Sequence, residues 1–244
     1  PHTKPYPFWE WLISRVKRSH PEVVFLSEAF TRPSVMAQLA RLGFSQSYTY
    51  FTWRNTAAEL RNYFIELTTS ELREYFRPNL WPNTPDILPL YLQAGGRPAF
   101  LIRLFLAGTL GANYGIYGPA FEHAVAEPIR PGAEEYRDSE KYELKRWNLE
   151  RPDSLVPWVA RLNAIRRENP ALQQDHRLRF LNVSHDQAVA FVKTSADGQN
   201  HVVVVAGLDP SRGRSVMVDL DPEWVGLERS QAFGATDLLG GGEQ

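Results

Sequence analysis

Strand-like and helix-like segments alternate along residues 1–118, and this alternation most constrains the fold. Apolar runs typical of strands occur at 23–27, 45–53, 75–81 and 113–118. Segments with helical spacing of apolar residues occur at 8–18, 34–44, 56–69 and 97–110. The pattern repeats about four times at intervals of roughly 25 to 35 residues, which is typical of a parallel sheet covered by helices. We therefore predict an α/β fold for this part of the chain.

Residues 119–153 interrupt the alternation. They are rich in proline and charge and have no clean periodicity. A loop of this length in a compact domain is usually functional or disordered. A further helix is predicted at 154–172, with Ser154 as N-cap and Pro170 as a stop signal.

From about residue 176 the pattern changes to short strands separated by turn signals such as Asp197-Gly198. Strands without intervening helices predict an antiparallel β-module. We therefore expect two domains, 1–174 and 175–244. The chain starts at Pro1, and the second module ends before it looks complete. We expect it to be a piece of a longer protein, truncated at both ends.

Composition excludes several classes of function. Of 244 residues, 43% are hydrophobic and 23% are charged, which is a soluble globular composition. The formal net charge is -1 with no dense Lys/Arg run, so neither nucleic acid nor a membrane is expected as a partner. The apolar stretch around 100–110 is short and contains Arg103. The absence of cysteine excludes disulfides and thiolate metal sites and suits a cytoplasmic location. His2, His20 and His123 lack metal-ligand spacing, so no metal is expected.

Two carboxylates follow predicted strands. Glu28 ends the apolar run "VVFLSEAF", and Asp86 lies in "PNTPDIL". In a parallel αβ barrel the carboxyl ends of the strands face the active site, and a pair of carboxylates there is what glycoside chemistry uses. Two alternatives remain open at this point: Glu28 as a solvated loop residue paired with Arg32, and Asp86 as a turn or N-cap residue.

Aromatic residues are frequent beside these positions. Tyr48, Tyr50, Phe51 and Trp53 fall in one predicted strand. Alternating aromatic residues usually belong to the core, and we assign most of these to it. A few at the rim would be able to stack on sugar rings.

Six blocks, taken in order, resemble one known family. They are "FLSEAFTRP", "LGFSQSYTYFTWRN", "FRPNLWPNTPDIL", "GGRPAF", "NYGIYGPAFE" and "EEYRDSEKY". In order and spacing they are similar to the maltose-1-phosphate maltosyltransferases of glycoside hydrolase family 13, the α-amylase superfamily. The resemblance covers nearly the whole chain. It implies the later strands of a (β/α)8 barrel followed by an antiparallel β-sandwich.

The resemblance also implies roles for single residues. Glu28 matches the general acid/base, and Asp86 matches the carboxylate that stabilises the transition state. Lys141 and Tyr142 match residues that contact the donor disaccharide. The catalytic nucleophile of the family is an Asp that would lie upstream of Pro1. The chain alone is therefore expected to be inactive, and the weaker assignments of His2 and Lys4 place them at the phosphate or acceptor side.

The implied reaction is retaining transfer of maltosyl from α-maltose-1-phosphate to the non-reducing end of an α-1,4-glucan, with release of phosphate. No cofactor is implied. The longer protein of which this chain is expected to be a piece, the parent protein, is expected to be a homodimer. A related hydrolase or trehalose synthase would share Glu28 and Asp86, and a non-catalytic glucan-binding fragment is a further alternative.

Overall fold

A four-stranded parallel sheet organises the first part of the chain. The computed structural model describes residues 1–229 and 232–240. The sheet has the order β1-β2-β3-β4, and every neighbouring pair is parallel. Its strands are β1 (Leu26–Ser27), β2 (Gln46–Tyr48), β3 (Pro78–Leu80) and β4 (Asn113–Tyr114). The predicted alternation is confirmed, although each strand is shorter than expected.

Seven α-helices accompany the strands in the described residues. They are α1 (Tyr6–Ser19), α2 (Pro33–Arg41), α3 (Ala57–Thr69), α4 (Leu72–Tyr75), α5 (Leu90–Leu110), α6 (Gly118–Glu122) and α7 (Val156–Glu168). Local sequence sets several of their ends. Thr56 and Glu59 form a reciprocal capping box that starts α3. None of the helices in the described ranges combines the length and apolar character needed to cross a membrane.

Two glycines explain where α2 and α5 change direction. Gly43 follows α2 with a φ of 104°, a conformation that favours glycine. Gly96 has φ 53° and ψ -152° inside α5 and divides that helix. The predicted helix 97–110 is the part after this break. The part before it was not predicted.

The segment around β1 differs from the prediction. The run 23–27 was expected to be a buried strand, but only Leu26 and Ser27 pair with β2, and Val24 and Leu26 are 60% and 47% exposed. In the described part of the chain β1 pairs with β2 only, which leaves these side chains uncovered. Ser27 and Ala29 are the buried residues here.

The aromatic run 45–53 also differs from the prediction, because β2 ends at Tyr48. A 3-10 turn (Tyr50–Trp53) follows, and Thr49 Oγ1 accepts a hydrogen bond from Phe51 N–H at its start. This side-chain acceptor competes with the strand ladder and turns the chain. Phe51 is fully buried, whereas Tyr48, Tyr50 and Trp53 are only partly buried. The core assignment therefore holds for Phe51.

The second part of the chain forms an antiparallel sheet of order β7-β6-β5-β8. Its strands are β5 (Leu178–Val183), β6 (Ala188–Thr194), β7 (His201–Gly207) and β8 (Val218–Asp219). Four strands were predicted here, and β6 pairs with β7 across the expected turn at Asp197-Gly198, while β5 also pairs with β6. The predicted domain 175–244 includes 230–231 and 241–244, which lie outside the described residues. The boundary at 174/175 stays a prediction.

The antiparallel sheet packs against the helices of the first part. One face of β6 places Val189 and Phe191 in the same core cluster as Leu60 and Phe64 of α3. Its other face contributes Val192 to a second cluster, formed with Leu181, Ala190 and the turn residues around Trp224. β6 is therefore buried on both faces. The core is continuous from the parallel sheet into the antiparallel one.

Candidate functional site

The carboxyl ends of the parallel strands meet at one rim, and the candidate residues follow these ends. Glu28 comes directly after β1, Tyr48 ends β2, and Asp86 follows β3 by six residues. Because the strands are parallel and in register, segments that leave their carboxyl ends lie on the same side of the sheet.

Glu28 has an environment that favours its protonated form. Burial, and then the negative charge of Asp86, raise the pKa of the Glu28 carboxyl above its ordinary value, while the Pro1 amino group and Lys141 lower it. Glu28 is nevertheless exposed and lies in the loop after β1, as the alternative of a solvated loop residue had it. The ion pair with Arg32 that this alternative included is absent from the described structure.

Asp86 lies in a tight turn closed by main-chain hydrogen bonds between Thr84 and Ile87. Its N–H donates to Thr84 Oγ1 at 3.2 Å. The carboxylate is half exposed and accepts a hydrogen bond of 2.7 Å from Lys141 Nζ. Asp86 is thus a turn residue, but it is not an N-cap, since α5 begins after Pro89. Its side chain is directed to Lys141.

Lys141 and Tyr142 come from the long segment 119–153. The ion pair with Asp86 joins residues 55 positions apart in the chain, and this charge-assisted hydrogen bond raises the pKa of Lys141. Tyr142 is 74% exposed, and Lys141 Nζ lies 5.3 Å from the centre of its ring. The structure therefore brings Glu28, Asp86, Lys141 and Tyr142 to one rim.

His2 and Lys4 are not connected to this group by side-chain bonds. Both are exposed, and in the described structure no hydrogen bond or ion pair joins either to Glu28 or Asp86.

An aromatic wall adjoins the carboxylates. Tyr48 and Trp81 stack with ring centres 4.9 Å apart and an interplanar angle of 26°. Phe30 meets Trp53 edge-on at 5.1 Å. Burial raises the pKa of Tyr48, and the negative charge of Glu28 raises it further, so Tyr48 lies close to Glu28. Rings of this kind fit the apolar faces of a sugar.

Sequence reasoning missed two contributors to this rim. Trp81 directly follows β3, and that position was a usable signal. Glu134 was not identifiable, because it lies 81 residues from Trp53, whose Nε1 donates to its carboxylate at 2.9 Å. The same carboxylate accepts Leu90 N–H at 3.1 Å and so links the long segment to the start of α5.

A groove with a volume of about 290 Å³ lies elsewhere, between α2, α3 and α4. It is lined largely by apolar and aromatic side chains, including Met36, Tyr50 and Tyr63. None of the candidate residues lines it, so cavity volume alone does not locate the site. We place the site by its chemistry instead. No group of three or more metal-ligating side chains occurs in the described residues.

Comparison with known proteins shows which sequences this chain is similar to. Residues 180–243 match the family model described as GLGE, C-terminal. The chain is 49% identical over 247 aligned positions to the alpha-1,4-glucan:maltose-1-phosphate maltosyltransferase of Chlorobaculum tepidum, and 50% identical over 243 to that of Pseudomonas aeruginosa. These alignments include 99% of the chain but only 37% and 36% of the relatives, so the chain spans about a third of their length.

Solved structures give the same fold. The maltogenic alpha-amylase AmyB from Thermotoga neapolitana aligns with a TM-score of 0.65 at 15% identity, over 99% of this chain and 54% of that one. The alpha-amylase from H. orenii aligns with a TM-score of 0.62 at 17% identity, over 83% and 47%. The predicted fold class and resemblance are therefore confirmed: over about a third of their length the chain is similar in sequence to the alpha-1,4-glucan:maltose-1-phosphate maltosyltransferases, and its fold is similar to about half of the fold of the alpha-amylases.

Proposed function

We propose that this chain supplies the acid/base part of the active site of a retaining maltosyltransferase in α-glucan biosynthesis. The donor would be α-maltose-1-phosphate, the acceptor the non-reducing end of an α-1,4-glucan, and the product phosphate. One observation carries the proposal: Glu28, Asp86 and Lys141 lie at a common rim, where Asp86 binds Lys141 at 2.7 Å and its charge acts on Glu28. The relatives' printed name supplies the substrate class.

Glu28 serves as general acid and then as general base. Its raised pKa favours the protonated form, and it gives that proton to the departing phosphate oxygen. A nucleophilic Asp, expected in the part of the parent protein that precedes this chain, attacks the anomeric carbon and forms a β-maltosyl ester. Glu28, now ionised, takes the proton of the acceptor 4-hydroxyl as that oxygen displaces the Asp. Two inversions give net retention and an α-1,4 bond.

Asp86 is assigned to the hydroxyls of the donor sugar. One of its oxygens binds Lys141, and half of the side chain is open to solvent, which leaves an acceptor for a sugar hydroxyl. Lys141 and the exposed Tyr142 are assigned to the donor disaccharide. His2 and Lys4 are assigned to the phosphate or acceptor side, as the weaker part of the proposal.

The remaining features of the proposal concern the whole parent protein. By parent protein we mean this chain together with the additional length that its relatives have. We place it in the cytoplasm as a homodimer that needs no cofactor, and we expect the present chain to be inactive alone because the nucleophile lies outside it.

The test is phosphate release by the parent protein from α-maltose-1-phosphate in the presence of glycogen. A Glu28→Gln variant should lose about 10²- to 10⁴-fold in rate, the usual contribution of an acid/base group. Glu10→Gln is the matched control, since Glu10 is exposed on α1 and makes no side-chain hydrogen bond in the described structure. Turnover of starch or maltose without phosphate release from the donor would refute the transferase assignment.

A further inference from the structure

Residues 139–147, which we call the strap, carry Lys141 and Tyr142 without forming a helix or strand. A turn that begins at Ser139 is their only main-chain support near Lys141 in the described structure: the N–H groups of Tyr142 and Glu143 both donate to the Ser139 carbonyl. An exposed lysine on an irregular segment usually holds an ion pair weakly. Something else must therefore fix the strap if Lys141 is to stay at Asp86.

Glu140, the residue before Lys141, binds two aromatic side chains at once. Its Oε2 accepts a hydrogen bond from the Tyr117 hydroxyl at 3.0 Å, and its Oε1 accepts one from Trp147 Nε1 at 2.8 Å. Its own N–H donates to the Tyr117 hydroxyl oxygen at 3.2 Å. Both carboxylate oxygens and the main chain of Glu140 are thus engaged.

Each of these aromatic partners is itself anchored to the body of the domain. The Trp147 ring meets the ring of His123 edge-on at 5.2 Å, and His123 is buried just after α6. Tyr117 N–H donates to the side-chain oxygen of Asn83 at 2.9 Å. Asn83 is fully buried, and its Nδ2 donates to the hydroxyl of buried Tyr136 at 2.7 Å.

These contacts close a ring that begins and ends at Asp86. Asp86 binds Lys141, the neighbouring Glu140 binds Tyr117, and Tyr117 binds Asn83, which precedes Asp86 by three residues. The turn that carries Asp86 and the strap that carries Lys141 are therefore held to each other twice. One link is the ion pair itself, and the other is Glu140.

We infer that Glu140 is a positioning residue that holds Lys141 in place for the donor sugar. This inference rests on the proposed function, in which Lys141 contacts the donor. Glu140 does not touch the substrate; its effect passes through Lys141. Glu143 offers a comparison in the same strap, because it is exposed and has no side-chain hydrogen bond or ion pair in the described structure.

The first experiment compares Glu140→Ala and Glu143→Ala in the parent protein by varying α-maltose-1-phosphate and following phosphate release. Loss of two charge-assisted hydrogen bonds should raise the KM of Glu140→Ala about tenfold while kcat changes less than about threefold, because donor binding is weakened in both ground and transition states. Glu143→Ala should match the wild type. Tyr117→Phe, which removes the hydroxyl partner, should reproduce the Glu140→Ala effect.

A double-mutant cycle separates positioning of Lys141 from a general structural effect. In a Lys141→Ala background, Glu140→Ala should change KM by less than about twofold, because the group that it positions is gone. An equal rise in KM with and without Lys141 would overturn the inference.

Hydrogen exchange of the strap amides provides a readout that needs no turnover. Exchange in residues 139–147 should be faster in Glu140→Ala than in Glu143→Ala, at an unchanged global melting temperature. Equal exchange in the two variants would overturn the role of Glu140 even if the proposed transferase activity is confirmed. If the wild type releases no phosphate, the proposed function fails, while faster exchange would still establish Glu140 as the strap's anchor.

Discussion

The charged groups at the rim and those at the junction between the two sheets differ in their exposure and in their hydrogen-bond partners. At the rim, Glu28 and Asp86 are partly exposed, and each keeps free acceptor capacity. At the junction, Arg103 and Lys193 are buried and donate to main-chain carbonyls. Neither forms an ion pair with a carboxylate in the described structure.

The junction shows how a buried cation is satisfied without an acid. Arg103 donates to the carbonyls of Arg54, at 2.6 Å, and Phe51, and its guanidinium lies 3.7 Å from the centre of the Phe51 ring. Lys193 donates to the carbonyls of Leu110, at 3.1 Å, and Gln174. These bonds tie the turn after β2 to α5, and α5 to β6. These two buried cations are thus bound by main-chain carbonyls, whereas Glu28 and Asp86 at the rim keep acceptor capacity.

The largest expected effect is on catalysis and comes from Asp86. Asp86→Asn in the parent protein should lower the rate of maltosyl transfer by about 10³-fold, because the transition-state charge and sugar hydroxyls lose a charged acceptor. Its free energy of unfolding should change by less than about 1 kcal/mol, since the ion pair with Lys141 is half exposed. Asp186→Asn, at an 86% exposed side chain, is the control. A loss of stability comparable to the loss of activity would make the rim structural and remove the contrast.

Substitution of Arg103 should give the reverse of the Asp86 result, with a large effect on the free energy of unfolding. Arg103→Met removes the guanidinium donors to the carbonyls of Arg54 and Phe51, of which the Phe51 carbonyl keeps its hydrogen bond from Arg54 N–H. It also removes the contact with the Phe51 ring, so the free energy of unfolding should fall by about 3 kcal/mol. Urea unfolding followed by circular dichroism measures this. Arg18→Met is the matched control, because Arg18 is exposed on α1. A cost near zero would show that the carbonyls find other donors.

The contribution of Lys193 to stability should be smaller than that of Arg103, because Lys193 makes no contact with an aromatic ring in the described structure, and it should depend on pH. Burial lowers the pKa of Lys193 to about 8, so its charged form carries a desolvation cost, and Lys193→Met should destabilise by about 1 to 2 kcal/mol at pH 7. An unfolded lysine keeps its proton to about pH 10.4. Between pH 8 and that value the unfolded state binds more protons, so the stability contributed by this group rises with pH.

The measurement for Lys193 is the difference in unfolding free energy between wild type and Lys193→Met at about pH 7 and about pH 9, on either side of the folded-state pKa. The wild type should gain relative to the variant at the higher pH. A difference that stays constant would show that Lys193 keeps its proton in the folded protein throughout this range.

The smallest expected effect is a change in the pKa of Glu28 at the rim. Because the charge of Asp86 raises the pKa of Glu28 and Lys141 lowers it, Asp86→Asn should lower that pKa and Lys141→Met should raise it. Carbon-13 NMR of the glutamate carboxyl groups would detect both shifts without any turnover. Shifts in the same direction for the two variants would contradict the arrangement of charges.

Local sequence predicted the elements whose cause is local. Helix α3 was predicted from its periodicity and begins at its capping box, and the strands β5 to β7 followed from apolar runs separated by turn residues. The parallel sheet followed from alternation alone. Val24 and Leu26 are exposed where burial was predicted, because exposure depends on whether a strand has a neighbour, and in the described part of the chain β1 pairs with β2 only.

Some residues of the candidate site were identifiable from the sequence, and some of the contacts between them were not. Glu28 and Asp86 were identifiable because they follow strands, and Lys141 and Tyr142 because they resemble a family motif. The links Trp53–Glu134 and Tyr117–Glu140 were not identifiable, since each joins residues far apart in the chain with no periodic signal.

The sequence by itself determined the order of strands and helices, the change to an antiparallel module, and the two carboxylates, because periodicity and strand ends are properties of neighbouring residues. Only the tertiary structure decided which charges are buried on carbonyls and which stay open at the rim. It also decided that the strap returns to Asp86. Those outcomes depend on contacts between segments far apart in the chain, such as Lys141 with Asp86 and Lys193 with Leu110, whose geometry exists only once the sheets have packed.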